Sequence, residues 1–257
     1  MAERIPVLKT EGLGIVFDGL EAVKDFSIEI YEGELVGLIG PNGAGKTTVF
    51  NLLTGVYIPT SGTVSLCGKI LNGMKTHQVV AEGVARTFQN IRLFKEMTVL
   101  ENVKVAFTKD IRYGILDSLV RTKKYWQYEV EITEKALDYL KIFHLDDKAD
   151  DLASSLPYGQ QRKLEIARAL ATDMKLLLLD EPAAGMNPTE TAELLDCIKI
   201  IRERFGIAIL LIEHDMSLVM NICERIQVID YGRTIAHGLP AEIAADKKVI
   251  AAYLGED

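Results

Sequence analysis

The octapeptide GPNGAGKT, residues 40–47, fits the spacing G-x-x-x-x-G-K-[ST] of a phosphate-binding loop. Its glycines let the backbone curl so that several N–H groups converge on one anion, and the start of the following helix adds the positive end of its dipole. Lys46 brings a full charge to the β and γ phosphates, and the Thr47 hydroxyl is placed to ligate Mg²⁺. The loop therefore predicts a nucleoside-triphosphate site. Its expected binding residues are Gly40, Pro41, Asn42, Gly43, Ala44, Gly45, Lys46, Thr47 and Thr48.

Two adjacent carboxylates, Asp180 and Glu181, follow four leucines in the stretch LLLLDEP. Ligands of a parallel sheet lie beyond the carboxyl ends of its strands, so this pair is expected to face the same crevice as the phosphate loop. We expect Asp180 to hold Mg²⁺ through water and Glu181 to polarise a water for attack on the γ phosphorus. Alone, the pair also fits a solvated strand end. With the loop upstream the catalytic interpretation is favoured, and a kinase, a recombinase or a GTPase all remain open.

Short apolar runs precede these motifs and predict the strands that position them. Residues 35–39, 176–179 and 207–212 are typical of strands buried on both faces of a parallel sheet. Helical patterns follow Gly45 and Pro188, which is the ordering of an α/β protein.

The two ends of the chain predict antiparallel structure, and the middle predicts helices. Residues 7–10, 14–17 and 26–30 indicate an antiparallel layer, and IQVIDYGRTIAHG indicates a hairpin around Tyr231 and Gly232. Residues from about 90 to 171 lack a strand pattern. The predicted fold class is therefore α/β: a P-loop NTPase core with a parallel sheet, an N-terminal antiparallel β layer and an inserted α-helical subdomain, within one domain of residues 1–257.

Composition limits the partners and the compartment. The net charge of −8 argues against a broad nucleic-acid surface. The N-terminus has no apolar signal region, and the longest apolar runs are far shorter than the roughly 20 residues of a membrane-spanning helix. We expect a cytoplasmic protein whose membrane role comes through a partner. The three dispersed cysteines are expected to be free thiols.

Over essentially its whole length the sequence resembles the nucleotide-binding subunits of ABC transporters. The likeness is carried, in the expected order, by GPNGAGKTT, RTFQN, LPYGQQ, LLLLDEP and LIEHD. It implies a single ABC ATPase domain that binds ATP and Mg²⁺. It also implies that Gln89 touches Mg²⁺ and the attacking water, and that His214 bonds the γ phosphate and steadies Glu181. Phe17 resembles the aromatic residue that stacks on adenine, with Val23 lining the other side of that pocket.

Taken singly, three of these residues have simpler interpretations. Gln89 would be a surface amide, His214 a structural histidine and Phe17 part of the core.

The stretch LPYGQQRKLEIARAL begins a helix without a Ser, Thr, Asp or Asn cap. In the ABC family the helix after this loop points its N-terminus at the γ phosphate held by the opposing subunit. The resemblance therefore implies that ATP supplies the missing cap across a dimer interface. Gly159 permits close backbone approach, and Gln160 can reach ribose or phosphate. The expected contact residues are Leu156, Pro157, Tyr158, Gly159 and Gln160.

Two departures from the family pattern affect this interface. The usual L-S-G-G-Q is replaced by LPYGQ, so the serine hydroxyl is absent and Pro157 cannot donate a backbone hydrogen bond. A contact weaker than usual is expected. The loop often written S-A-L-D is here AGMN, in which Asn187 keeps hydrogen-bonding capacity but carries no charge. The alternative to a nucleotide contact is that LPYGQQ only forms the start of a helix that packs in the core.

Two further segments bear on the membrane. In the family, residues 86–107 form a groove for a short helix of the membrane subunit, with Leu93, Phe94 and Met97 as candidates here; ordinary subdomain core is the alternative. Residues 107–128 combine aromatic and basic side chains. They fit a helix near lipid headgroups or, as the favoured interpretation, a solvated helix with its aromatic stripe on the subdomain core.

Within the family, four stretches look most like the ATPase subunits of branched-chain amino-acid importers: GVARTFQNIRLFKEMTVLENV, LPYGQQRKLEIARAL, DEPAAGMNP and the ending YLGED. The likeness implies a peripheral protein on the cytoplasmic face of the inner or plasma membrane. Its implied partners are transmembrane permease subunits, a second ATPase subunit and, indirectly, a periplasmic or extracellular solute-binding protein, with no nucleic acid. Importers of urea or amides, lipopolysaccharide export and a soluble ABC ATPase that clamps nucleic acid or the ribosome remain as alternatives.

Overall fold

The computed structural model describes residues 5–107 and 114–254. Its strands are β1 (Leu8–Phe17), β2 (Leu20–Ile30), β3 (Leu35–Ile39), β4 (Ser61–Leu66), β5 (Lys69–Ile70), β6 (Val84–Arg86), β7 (Leu176–Asp180), β8 (Ala208–Ile212), β9 (Arg225–Asp230) and β10 (Arg233–Gly238). Its α-helices are α1 (Lys46–Leu53), α2 (Thr76–Glu82), α3 (Val99–Lys104), α4 (Ile115–Val120), α5 (Lys123–Ile142), α6 (Tyr158–Leu170), α7 (Pro188–Phe205), α8 (Met216–Ile222), α9 (Pro240–Ala245) and α10 (Lys247–Leu254).

The described residues fall into two compact units. The core unit comprises the residues up to 86, residues 175–182 and those from 201 onward. The helical unit comprises residues 87–174 and 183–200 within the described part of the chain. The core unit holds both sheets, and the helical unit holds α3 to α6 and the first part of α7.

A six-stranded sheet runs through the core unit in the order β10–β9–β3–β8–β7–β6. All its pairs are parallel except β9 with β10. Every residue of β3, β7 and β8 is buried, which explains why these strands are apolar on both faces. The predicted parallel sheet is confirmed.

The second sheet is antiparallel, in the order β2–β1–β4–β5. The sequence suggested separate strands at residues 7–10 and 14–17, but the structure has the single strand β1. Its pairing with β2 shifts register between Thr10 and Leu13. Gly12 lies inside this shift with φ of 56°, so the glycine that resembled a break forms a β-bulge.

The hairpin near the end of the chain forms as predicted, with β9 and β10 joined by Tyr231 and Gly232. Both turn residues have positive φ, 42° and 76°, as in the two-residue turns that match strand twist. The turn closes on the phosphate loop, because the N–H of Gly232 donates to the Ala44 carbonyl at 2.9 Å.

The three cysteines are free thiols, as expected. Cys67 is exposed, whereas Cys197 and Cys223 are buried. Burial raises the pKa of Cys223 to about 12, so this thiol stays protonated at neutral pH. In residues 5–107 and 114–254, the helices are too short or too polar to cross a bilayer.

Candidate active site

The loop between β3 and α1 has the backbone shape of an anion cradle. Gly40, Gly43 and Gly45 have φ values of 155°, 80° and 104°, which side-chain-bearing residues rarely adopt. Gly45 is the N-cap of α1 and, as a glycine, provides no side-chain cap for the first amides of this helix. A phosphate group can fill that role, because helix N-termini present unpaired N–H groups and a positive dipole end.

The backbone near the end of β9 packs closely against Gly40. A Cβ atom placed on Gly40 would collide with the carbonyl oxygen of Ile229. We therefore expect Gly40→Ala to displace the loop, to lower the free energy of unfolding by about 1–3 kcal/mol and to weaken nucleotide binding. The measurements are thermal unfolding and titration with a fluorescent ATP analogue.

Gly68→Ala is the matched control for this prediction. Gly68 also has positive φ, 80°, but among the described residues, its two chain neighbours aside, no heavy atom lies within 4 Å of its Cβ position. Gly68→Ala therefore measures the conformational cost of a non-glycine residue at positive φ without the steric collision that is expected in Gly40→Ala. Equal effects of the two substitutions on nucleotide affinity would contradict the role of the close contact at Gly40.

The side chain of Lys46 folds back onto the phosphate loop. Its ammonium group donates to the carbonyl oxygens of Gly40 at 2.6 Å and Pro41 at 2.9 Å, and the residue is 7% exposed. Burial lowers the pKa of Lys46, while the carboxylates of Glu181 and Asp180 act in the opposite direction. The structure thus places the buried ammonium group of Lys46 against two carbonyl oxygens of the loop.

A cavity of about 250 Å³ joins the loop to two of the other predicted residues. It is lined by residues 42–48 together with Glu181, Ile212 and His214. Strand order explains the meeting, because β8 lies between β3 and β7 and all three run in parallel. The segments that follow their carboxyl ends therefore share one edge of the sheet.

Glu181 and His214 lie within hydrogen-bonding distance in this cavity. His214 Nε2 is 2.7 Å from Glu181 Oε1. Glu181 has φ of 48°, a left-handed conformation that costs a non-glycine residue about 1–2 kcal/mol. Its backbone N–H donates to the Ile212 carbonyl at 2.9 Å, which ties this conformation to the neighbouring strand. The arrangement can orient a carboxylate base toward a bound phosphate.

Asp180 is buried at the end of β7 and has a partner that sequence reasoning missed. Its Oδ2 atom accepts from Arg86 Nη2 at 2.8 Å, and Arg86 Nη1 donates to Asn51 Oδ1 at 2.7 Å. Arg86 is the last residue of β6, which pairs with β7 in parallel. Only that non-local pairing brings the two charges together, so no local pattern could have revealed it.

Phe17 and Val23 differ in what they present to a ligand. Phe17 is 39% exposed at the end of β1, and its ring meets Tyr57 edge to face with centroids 5.1 Å apart. Val23 is buried at 1% exposure, and its Cγ2 atom is 3.6 Å from the position of a Cβ on Gly45. Phe17 thus retains exposed ring surface, whereas Val23 supports the phosphate loop from the core.

In the helical unit, α6 begins at Tyr158 without a side-chain cap, as the sequence predicts. Pro157 is the N-cap, and Leu156 before it is extended and buried. Gly159 is buried, and a Cβ on it would lie 3.0 Å from the Glu190 carboxylate. Gln160 Oε1 accepts from Lys148 Nζ at 2.8 Å.

Asn187, which stands where the family often has aspartate, caps α7. Its side-chain oxygen accepts from the Glu190 N–H, and the Glu190 carboxylate accepts from the Asn187 N–H, both at 3.0 Å. This reciprocal pattern is a capping box. Asparagine is therefore sufficient for the local structure of this loop.

The groove candidates all retain some solvent exposure. Phe94 is 51% exposed, and Leu93 and Met97 are partly buried. Asn102 is fully buried and holds this segment, because its side chain accepts from the Phe94 N–H at 2.9 Å and donates to the Phe94 carbonyl at 3.0 Å. The segment thus presents an aromatic side chain on a fixed backbone.

Of the aromatic stretch predicted at 107–128, residues 108–113 lie outside the described residues, and with them Lys109, Arg112 and Tyr113. In the described part, Tyr128 is buried and its hydroxyl donates to the Phe107 carbonyl at 2.9 Å. Trp126 is 52% exposed. The aromatic residues of α5 are thus divided between the packed side and the solvent side of the helix.

Gln89 is exposed, and its backbone carbonyl accepts from Arg162 Nη2 at 2.7 Å. Arg162 is fully buried and pairs with Glu165 at 2.7 Å. From the sequence, this helix was expected either to contact nucleotide at its start or to be a core helix, with no role for a buried ion pair. The available signal was the spacing of three residues, which places the two charges on one face of α6 among apolar positions.

Comparison with known proteins agrees with this geometry. An ABC transporter family model matches residues 23–184, and a model described as branched-chain amino acid ATP-binding cassette transporter matches residues 233–257. The chain is 49% identical over 251 residues to the high-affinity branched-chain amino acid transport ATP-binding protein LivG of Salmonella typhimurium, covering 98% of each chain. The protein of the same description from Pseudomonas aeruginosa, BraF, is 47% identical with the same coverage.

Among solved structures, the ADP conformation of MJ1267, an ATP-binding cassette of an ABC transporter, superposes with a TM-score of 0.84. The two chains are 32% identical, and the match covers 98% of this chain and 99% of that one.

Proposed function

We propose that this chain, which belongs to the ABC transporter family, hydrolyses ATP to drive the uptake of branched-chain amino acids through a membrane complex. The observation that carries the hydrolytic function is the cavity in which the phosphate loop, Glu181 and His214 meet. The transported solute is proposed from the relatives that are 47% and 49% identical, both described as branched-chain amino acid transport proteins.

The proposed reaction uses the side chains of this cavity. Lys46 and the amides of the loop bind the β and γ phosphates of ATP, and Phe17 stacks on the adenine ring. Glu181 accepts a proton from the attacking water, because its carboxylate lines the cavity and is oriented by its contact with His214. His214 in turn donates to the γ phosphate.

The donor set fits Mg²⁺, which prefers oxygen ligands and shares them with substrate phosphates in nucleotide sites. Thr47 brings a hydroxyl to the lining of the cavity, and Asp180 brings a carboxylate at the end of β7. Gln89 is the third proposed ligand, from the helical unit. When bound, the ion neutralises phosphate charge during transfer.

A second copy or a related ATPase subunit completes the proposed site. The start of α6 has no side-chain cap, which is consistent with its amides binding the γ phosphate held by that subunit. Leu156, Pro157, Tyr158, Gly159 and Gln160 form this contact in our proposal. Residues 1–257 then act as one ATPase domain, with the helical stretch from about 90 to 171 as its subdomain.

The proposed location is the cytoplasmic face of the membrane, held there by permease subunits. Phe94, with Leu93 and Met97 beside it, is the proposed docking point for a permease helix. A solute-binding protein outside the membrane delivers the amino acid to the permease. No nucleic acid takes part.

The proposed dimer predicts how activity depends on concentration. Because the start of α6 acts on ATP held by the other subunit, ATPase activity per chain is expected to rise with protein concentration and then level off. Steady-state hydrolysis over a hundredfold range of concentration is the measurement. Strict proportionality of rate to protein throughout that range would contradict a site shared between two subunits.

Transport itself is tested with the complete complex in liposomes. We expect ATP-dependent uptake of leucine, isoleucine or valine, and none with Glu181→Gln in the ATPase subunit. Uptake of urea or short amides instead of these amino acids would be consistent with the ATPase function but would contradict the proposed solute. Isolation of the chain with ribosomes or DNA, and not with membranes, would overturn the transport function.

A further inference from the structure

Two buried charges on α6 hold the backbone of residues 88–92, here called the Gln89 segment. Arg162 donates from Nη1 to the Phe88 carbonyl at 2.6 Å and from Nη2 to the Gln89 carbonyl at 2.7 Å. Glu165 accepts from Arg162 Nη1 at 2.7 Å and from the backbone N–H of Arg92 at 3.1 Å. All five residues belong to the helical unit.

This pair is too deeply buried to be a surface contact. Arg162 is 0% exposed and Glu165 is 3% exposed. Burying an ion pair carries a large desolvation cost, and well-packed apolar residues of similar volume are often at least as stabilising. A contribution to the stability of the fold therefore does not by itself explain why a buried arginine and glutamate occupy these two positions. The specific feature of the pair is that a planar guanidinium group can serve two carbonyl oxygens and one carboxylate at once.

The same arginine also reaches the first turn of its own helix. Arg162 Nη2 lies 3.4 Å from the hydroxyl of Tyr158, which is the first residue of α6. One side chain thus connects the beginning of α6 with the two peptide carbonyls that flank the α-carbon of Gln89.

We propose that Arg162, oriented by Glu165, is a positioning residue for Gln89. It fastens the Gln89 segment to the first turns of α6, so that a displacement of the α6 N-terminus is carried to Gln89. This inference rests on the proposed function, in which Gln89 acts in hydrolysis and the start of α6 meets the nucleotide of the second subunit. Hydrolysis then depends on the second subunit through a physical link inside the helical unit.

Arg162→Lys and Glu165→Gln test this role. Lysine keeps the positive charge of Arg162 but lacks the planar guanidinium group that reaches several acceptors. Glutamine keeps the shape of Glu165 but lacks its negative charge. Because a misplaced catalytic group costs up to about 100-fold, we expect kcat to fall about 10- to 100-fold while the Kd for ATP stays within about threefold. Hydrogen exchange of the amides in residues 88–92 is expected to accelerate in both variants. Glu165→Gln also serves if Arg162→Lys does not fold.

Lys163→Gln is the matched control. Lys163 is the next residue of α6, is also buried, and pairs with Glu193 at 2.6 Å instead of the Gln89 segment. We expect it to leave kcat and the exchange of residues 88–92 unchanged. A loss of kcat in Lys163→Gln equal to that in Arg162→Lys would assign the effect to general weakening of α6 and overturn the inference.

Gln89→Ala separates the inference from the proposed function. Normal turnover in Gln89→Ala would remove Gln89 from the reaction, while hydrogen exchange would still report whether Arg162 holds the segment. If turnover is impaired in Gln89→Ala but normal in Arg162→Lys, the positioning role of Arg162 is overturned, while the proposed role of Gln89 in hydrolysis stands. If both singles are impaired, the double variant is expected to be no slower than Gln89→Ala, because the two residues act through one group.

Discussion

Replacing Glu181 with glutamine is expected to abolish ATP turnover and to leave ATP binding intact. A general base contributes about 10²–10⁴-fold to a rate, and an amide cannot accept the proton of the attacking water. Glutamine keeps the side-chain length and an oxygen that can accept from His214, whose Nε2 atom is 2.7 Å from the present carboxylate. The fold and the phosphate loop should therefore be unaffected.

Three measurements check this prediction: steady-state hydrolysis, the Kd for ATP and the lifetime of the ATP-bound dimer. We expect the rate to fall by the stated factor, the Kd to stay close to its original value and the dimer to persist longer. Glu224→Gln is the control, because Glu224 is a carboxylate of the same unit that pairs with Arg202 at 3.0 Å near the surface. Near-normal turnover in Glu181→Gln would remove Glu181 as the base.

Replacing Lys46 with methionine is expected to remove tight ATP binding. The ammonium group lies within hydrogen-bonding distance of the Gly40 and Pro41 carbonyls and is the cation provided by the loop. Truncating one partner of a buried, hydrogen-bonded charge pair costs about 2–5 kcal/mol, which weakens binding by about 30-fold or more. Titration with a fluorescent ATP analogue measures the loss.

Thermal unfolding distinguishes this effect from damage to the fold. Burial lowers the pKa of Lys46, so its charged form costs the folded state free energy, in full at any pH below the lowered pKa. This cost falls as the pH rises through the lowered pKa of Lys46 and vanishes above the unfolded pKa of lysine. Methionine carries no charge and so does not have it. We expect Lys46→Met to unfold at the same temperature as the parent protein or higher.

Lys69→Met provides the control for charge removal. Lys69 forms an exposed ion pair with Glu82, a kind that contributes at most about 1 kcal/mol. ATP affinity in this variant should match that of the parent protein. Unchanged ATP affinity in Lys46→Met would contradict the assignment of the phosphate loop.

Local sequence patterns were sufficient for the elements around the site. The apolar runs at residues 35–39 and 176–179 correspond to β3 and β7, and the uncapped start of α6 was visible in LPYGQQ. These features depend on residues that are neighbours in the chain. The positive φ of Gly43 and Gly45 is a conformation that their residue type adopts without steric cost.

Other features could not be read locally. Gly12 resembled a strand break, yet tertiary pairing converts it into a bulge inside β1. Val23 is held in the core behind Gly45, a position that depends on how β2 packs. The left-handed conformation of Glu181 is unfavourable for its residue type and is held by a hydrogen bond to the Ile212 carbonyl.

The sequence by itself determined which chemical groups this protein possesses: a glycine loop with a lysine, a pair of carboxylates after a buried strand, and a helix start without a cap. The sequence also predicted that the carboxylates face the loop, but only the tertiary structure decided which strands are neighbours and how close these groups lie. Val36 pairs with Leu210, and Leu178 pairs with Leu210 from the other side, so β8 brings β3 and β7 to one edge. Such pairing joins segments far apart in the chain through backbone hydrogen bonds that every residue can make, and it therefore leaves no local signature.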